Sequence, residues 1–423
     1  MSIKINEQLL NLANEAEEVL KNQLKNIEKV SEHNSLKILN AFIDNKVVYQ
    51  DFNEINGYGF FDNARDKLES VVACIFGAED ALVRPHIMSG TNAIYITLDA
   101  LLRHGDTMLS ISGLPYDPLQ EIIGIRGSST QSLKNKGVEY KQIELVDNDF
   151  DYEAIQNAIQ NQKIKLVAIQ RSCGYSHRKG LNIDKIEKVC SFIKQLDSNI
   201  IIMCDNCYGE LAEEKEPTQV GVDVVCGSLM HNLGGGVATS GGYIAGKQYI
   251  IDQIADRLTS PGIGKYLGAD YNQKMKIFKG LFLAPQSVAN ALKTATLTSY
   301  LAEKLGFSDV SPASTDKRSD IIQTFNLHSQ DQLIDFCAFL QTSSPIDSFY
   351  TPTPCEMPGY PHDEIMSAGT FTLGSTIELT CDAPVVAPYK VFIQGGILYH
   401  SAKLSMLSAL SALVDKYNIT IKK

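Results

Sequence analysis

The sequence predicts an α/β protein: a large domain on a mainly parallel sheet, followed by a smaller α+β C-terminal domain. Three observations carry this. Short apolar runs alternate with helical stretches, and they are too continuously apolar for strands with a solvent face. After about residue 300 the pattern changes to runs that read as antiparallel strands and a closing helix. At 423 residues the chain also exceeds what one compact core sustains.

Over 5–43, Leu9, Leu10, Leu12, Val19, Leu20, Leu24, Ile27 and Val30 recur at helical spacing, so 1–50 reads as an N-terminal helical arm. "GYGFFDNARDKLESVVACIFG" (57–77) is a glycine-marked loop and an amphipathic helix. "ALVRP" (81–85), "TMLSISG" (107–113), "YKQIEL" (140–145), "KLVAIQRS" (165–172), "IIIMCDN" (200–206) and "DVVCGSLM" (223–230) read as strands. Helices such as "DYEAIQNAIQNQ" (151–162) and "DKIEKVCSFIKQL" (184–196) separate several of them. "SGGYIAGK" (240–247) is expected to close the sheet. The large domain is assigned to 51–300 and the small one to 301–423, with the junction inside 285–325. In the latter, "TFTLGSTIELT" (370–380) and "YKVFIQGG" (389–396) read as strands and "SAKLSMLSALSALVDKY" (401–417) as a helix.

Composition narrows the function. Hydrophobic residues at 44% and charged residues at 21% fit a soluble globular enzyme. The net charge of −11 argues against nucleic acid or an anionic membrane surface as partner. The acidic amphipathic start lacks the apolar core of a signal peptide, and no run of apolar residues is long enough to span a bilayer. Nine scattered cysteines then read as reduced thiols of a cytoplasmic protein. "CDNC" has no second cysteine pair at zinc-like spacing, so no metal site is expected.

Ligands of open α/β sheets bind beyond the carboxyl ends of the strands. Ser89-Gly90-Thr91 opens a helix there, where free N–H groups and the helix dipole suit a phosphate, or where a simple N-cap would stand. Asp205 ends the most apolar strand, as a partner for a protonated ring nitrogen or as a cap. Tyr116 follows another strand, as a ring-stacking group or an ordinary loop tyrosine. "GGYIAGKQ" (241–248) fails as a phosphate loop because Gln248 stands where Ser or Thr would hold magnesium.

Together these blocks resemble fold type I enzymes that use pyridoxal 5′-phosphate (PLP). The chain is most similar to their aluminium-resistance, methionine gamma-lyase-like (cystathionine beta-lyase-related) branch. The resemblance spans nearly the whole chain. It rests on "GYGFFDNARDKLE", "ALVRPHIMSGTNAI", "GLPYDPLQEIIGI", "RSCGYSHR", "CDNCYGE", "GSLMHNLGGGVATSGGYIAGK", "GLFLAPQSV", "MPGYPHDEIMSAGTF", "STIELTCDAP" and "FIQGGILY". It implies a carbon–sulfur lyase acting on an amine or amino-acid-like substrate, in a homodimer or homotetramer with shared active sites. Ser89, Gly90, Thr91 and Ser228 would hold the cofactor phosphate. Tyr116 would stack on the ring and Asp205 would pair with its nitrogen, while Tyr58 and Arg65 would reach a neighbouring subunit's phosphate. Arg171 remains as a substrate contact.

The departures cluster in the expected pocket. The Schiff-base lysine position of "GSLIKN-like" blocks holds His231. Cys173 and Val386 stand where the family tends to have arginines that would clamp a carboxylate, and His86 and Asn92 look exchanged relative to the usual Gln and His. Histidine cannot hold the cofactor covalently as lysine does, yet it moves protons near neutral pH. Three readings are open. PLP or pyridoxamine 5′-phosphate (PMP) is held non-covalently with His231 as acid/base, an arrangement that some sugar dehydratases of this fold resemble. Alternatively, the chain is an inactive paralogue serving as a binding or partner subunit. In the third, another lysine, such as Lys247 or Lys265, has taken over.

Overall fold

The computed structural model describes residues 3–422. The helices are α1 (Glu7–Val19), α2 (Lys21–Asp44), α3 (Asn63–Phe76), α4 (Gly90–Leu101), α5 (Asp117–Ile123) and α6 (Tyr152–Asn161). They continue with α7 (Ile183–Leu196), α8 (Gln248–Leu258), α9 (Lys274–Leu305), α10 (Gln330–Thr342) and α11 (Tyr399–Tyr417). Contacts divide the chain into two units. One is Asn34–Phe282; the other joins the N-terminal helical residues up to His33 with Leu283 onward.

In the first unit seven strands form one sheet: β1 (Asp80–Arg84), β2 (Thr107–Ser110), β3 (Glu139–Gln142), β4 (Leu166–Gln170), β5 (Ile201–Asp205), β6 (Val224–Ser228) and β7 (Gly242–Gly246). The order is β1-β7-β6-β5-β4-β2-β3. Neighbours from β2 to β6 pair in parallel. The run at 240–247 supplies one more strand of the sheet, as expected: β7 lies between β1 and β6, antiparallel to both. Every residue of β5 and β6 is buried, which is why their sequences lack polar alternation.

Helices cover both faces of this sheet. On one, Ala93, Ile94 and Leu98 of α4 and Ile250, Ile251 and Ile254 of α8 join Leu82, Met203, Val224 and Ile244 in a single apolar cluster. On the other, Phe76 of α3 stacks on Tyr243 of β7, ring centroids 4.9 Å apart. Because β7 is antiparallel to both neighbours, β1 and β6 run the same way, and Arg84, Gly242 and Ser228 share a row. The carboxyl ends at Arg84, Ser110, Gln170, Asp205 and Ser228 therefore meet along one edge, while Asp80, Gly246 and Val224 mark the other.

The second unit contains β8 (Ser308–Ser311), β9 (Gln323–Asn326), β10 (Glu364–Ser367), β11 (Thr380–Pro384) and β12 (Lys390–Gln394) in the order β10-β11-β12-β9-β8, all antiparallel. Leu9, Leu12, Ala16 and Leu20 are built into its core with Leu301, Phe325, Phe336 and Leu410, so the N-terminal helix is a layer of this unit. The stretch 370–380, expected as a strand, is a series of turns, and pairing begins only at Thr380. The Glu378 carboxylate accepts from the backbone N–H groups of Phe371 (2.7 Å) and Thr372 (3.1 Å), which ties the segment into a loop. Among the described residues no helix is long and apolar enough to cross a membrane.

Candidate active site

The Ser89 turn comes after β1. Ser89 is the N-cap of α4, with extended backbone, and its hydroxyl accepts from Asn92 N–H at 3.1 Å. The next residue has no room for a side chain. A β-carbon on Gly90 would lie 2.9 Å from Cys207 Sγ and 3.1 Å from Ser228 Cβ. That contact joins three separate stretches: the start of α4, the end of β6 and the turn after β5. Tyr116 is fastened to the same place. Its hydroxyl donates to Thr91 Oγ1 at 2.8 Å, and its N–H donates to Gln170 Oε1 at 2.9 Å. Ser228 Oγ accepts from Met230 N–H at 3.0 Å. Ser89, Gly90, Thr91, Tyr116, Asp205 and Ser228 are thus gathered at the carboxyl edge of the sheet.

Asp205 ends β5, the strand next to β6. Its Oδ1 accepts from Cys207 N–H at 3.1 Å, and burial pushes its carboxyl up to about 6 despite that bond and the nearby Arg178 charge. His231 comes directly after Met230 and caps a short helical turn, Asn232–Gly234. The imidazole keeps partial exposure but is ringed closely by protein, and that desolvation pushes it down to about 4. At neutral pH it is an uncharged imidazole.

The glycines after His231 serve packing. A β-carbon on Gly234 would lie 1.7 Å from the Leu229 carbonyl oxygen, so the chain folds back on itself there, and Gly235 and Gly236 take φ of +57° and +72°.

The structure corrects one expected role. Arg171 is fully buried and does not present its guanidinium as a substrate contact. It donates to Asn206 Oδ1 at 2.8 Å and Glu213 Oε2 at 3.0 Å, with Glu216 Oε2 at 3.7 Å. Arg65 is likewise seated inside its unit. It donates to the carbonyls of Gly59 (2.8 Å) and Gly268 (3.1 Å) and to Asp66, bracing two loops. Tyr58, by contrast, is 75% exposed. The substitute lysines are also remote. Lys247 pairs with Asp223 at 2.6 Å and Lys265 with Asp80 at 2.5 Å, both at the opposite edge of the sheet from Ser228.

Sequence reasoning missed three members of this neighbourhood. Gln170 holds Tyr116. Glu210 is a fully buried carboxyl that accepts from Tyr243 Oη at 2.9 Å and is pushed well above its usual range by burial. Tyr208 stacks on His231, centroids 4.3 Å apart and planes inclined by 27°. Tyr208 and Glu210 lie in "CDNCYGE", but nothing in their spacing marks a ring contact or burial.

A family model for methionine gamma-lyase matches residues 9–414 of this chain. The chain belongs to the methionine gamma-lyase family. A Bacillus subtilis relative, the uncharacterized protein YnbB, is 44% identical over 394 residues, covering 93% of each chain. The crystal structure of a carbon-sulfur lyase involved in aluminum resistance from Clostridium novyi is 43% identical, covers 97% of each chain and superposes with a TM-score of 0.93. The pyridoxal-5′-phosphate dependent protein YhfS of Escherichia coli shares 15% identity over 91% of this chain and 97% of its own, with a TM-score of 0.60. That last likeness shows the fold, which is fold type I.

Proposed function

We propose that this chain is a carbon–sulfur lyase-like protein that holds PLP or PMP without a covalent link and uses His231 as acid/base on an amine or amino-acid-like substrate. The observation that carries this is the contact of Gly90 with Ser228 and Cys207, a cradle that any β-carbon would fill. Because Gly90 has no side chain, the start of α4 closes on Cys207 Sγ and on Cβ and N of Ser228, which supports a role for that helix start and the end of β6 in holding one ligand.

The residues fit a phosphorylated ring and not its covalent attachment. The amides at the start of α4 and the Ser228 hydroxyl are suited to the phosphate, and Tyr116 to the ring face. Asp205, ionised above about pH 6, would keep a proton on the ring nitrogen. When bound, the cofactor supplies an electron sink for charge left on a substrate carbon. His231 then has one task, accepting and returning a proton, and its neutral form is the accepting form. On this reading the chain would work in the cytoplasm as a homodimer or homotetramer. In support of assembly, Tyr58, Phe60 and Phe61 are 75%, 45% and 87% exposed side by side.

The test is attachment chemistry. With added PLP the native protein should show a bound absorbance band, and borohydride should leave the protein mass unchanged. His231→Lys should acquire one borohydride-stable adduct, at residue 231. An adduct on any native lysine would sink the non-covalent reading. A folded His231→Lys protein that takes up no cofactor would sink the cradle. Cofactor binding without thiol release from any cysteine-like or methionine-like amine would assign the chain to the partner-subunit role.

A further inference from the structure

The turn that carries Tyr208 is held more tightly than its sequence requires. Tyr208 has φ of +70° and Leu211 has φ of +59°, left-handed backbone that bulky residues adopt only when their surroundings impose it. The surroundings do so in three ways. Asn232, the residue next to His231, donates its side-chain amide to the carbonyls of Tyr208 (2.9 Å) and Glu210 (2.8 Å). Leu211 N–H donates to the buried Glu216 at 2.9 Å, and Gly209 N–H to the Asn206 carbonyl at 2.9 Å. Gly209 itself lies so close to Arg171 that a β-carbon would sit 2.6 Å from Arg171 Cδ. The buried Arg171, Asn206 and Glu216 network thus anchors one side of the turn, and the His231 loop anchors the other.

The product of this fastening is the ring stack at 4.3 Å. We infer that Tyr208 is the positioning residue of the His231 imidazole: its ring covers one imidazole face and fixes the plane in which that group meets a substrate. The inference rests on the reading of His231 as the proton-handling group. Glycine or asparagine would stand in such a left-handed turn with less strain than a tyrosine. The strain is retained where an aromatic face is needed. A covering ring also removes water from the imidazole, in keeping with burial as the cause of its low pKa.

The decisive variant is Tyr208→Asn, because asparagine tolerates the left-handed backbone and has no ring. Tyr208→Phe keeps the ring and removes the hydroxyl. The readout is the titration of His231 by nuclear magnetic resonance in the full, histidine-labelled chain without cofactor, with His231→Gln to assign the signal. In Tyr208→Asn the midpoint should rise toward about 6.5, the value of a solvated histidine. Tyr208→Phe should stay with the native protein. A folded Tyr208→Asn protein with an unmoved midpoint overturns the inference, as does a Tyr208→Phe protein that shifts as far as Tyr208→Asn. If Tyr208→Asn does not fold, Tyr208→Gly carries the same expectations. The measurement uses no cofactor, so the clamp can fail while the cofactor reading stands, and the reverse.

Discussion

Two turns leave the same edge of the sheet, and they are held by different physics. The Ser89–Thr91 turn is unstrained. It is a capped helix start whose one special feature is a glycine pressed against Ser228 and Cys207. The Cys207–Leu211 turn is strained at two residues and depends on a buried polar network running from Arg171 through Asn206 and Glu216, with Asn232 reaching in from the His231 loop. The first is suited to gripping a ligand by its backbone. The second is suited to aiming side chains. On the proposed reading the first grips the cofactor and the second aims His231, the residue proposed to handle the proton.

The sharpest way to break that contrast is to remove the anchor of the strained turn. Arg171→Leu leaves Glu213 and Glu216 buried without their guanidinium, a loss of ~3–5 kcal/mol for breaking a buried pair by one partner. A fall of roughly 10 °C in the melting temperature is expected, at ~2–4 °C per kcal/mol for a unit of this size. An arginine that served the substrate would instead raise KM at unchanged stability, and that result would restore its expected role. The unstrained turn should respond in the opposite manner. Gly90→Val places atoms where Cys207 Sγ and Ser228 Cβ now leave no space. Equilibrium titration with PLP should show affinity at least a hundredfold weaker, about 2.7 kcal/mol, in a protein that still folds. Native affinity in the valine variant would mean that the cradle is not where the phosphate goes.

The same contrast decides what the sequence could reveal. Strands β4, β5 and β6 were legible because burial on both faces leaves them almost wholly apolar. The positions of Ser89, Asp205 and Ser228 beyond or at strand ends were legible because the apolar runs stop there. Strands β8 and β10, "SDVS" and "EIMS", carry no alternation and went unread. The run 370–380 imitates a strand, since its turns depend on Glu378 reaching back seven residues to Phe371, which no local pattern displays. Arg171 read as a free cation because Glu213 and Glu216 lie far along the chain, in an acidic stretch that looks solvated. Tyr208 was silent for a further reason. It meets His231 from a left-handed backbone held by tertiary partners such as Asn232, and residue type does not display that conformation.

The smallest expected effect bears on Asp205, the strand end that leads into the strained turn. Its carboxyl rises from 3.8 to about 6 on burial. A carboxyl raised in this way binds more protons folded than unfolded between those values, so its contribution to stability falls as pH rises through that window. Above about pH 6 the folded protein carries a disfavoured buried carboxylate, a cost of roughly 2–3 kcal/mol at 1.36 kcal/mol per pH unit. Asparagine still accepts from Cys207 N–H but cannot ionise. Without cofactor, Asp205→Asn should therefore melt higher than the native protein at pH 7, by several degrees, and at the same temperature near pH 4. With PLP the order should narrow or reverse, because only the carboxylate answers a protonated ring nitrogen. Native binding of PLP should weaken as pH falls through about 6, where Asp205 takes up its proton. Equal melting curves for the two proteins across pH 4–8 would show that Asp205 is a turn cap and nothing more. A gain at pH 7 that PLP erases would show instead that the fold tolerates an unstable carboxylate because a cation is meant to meet it.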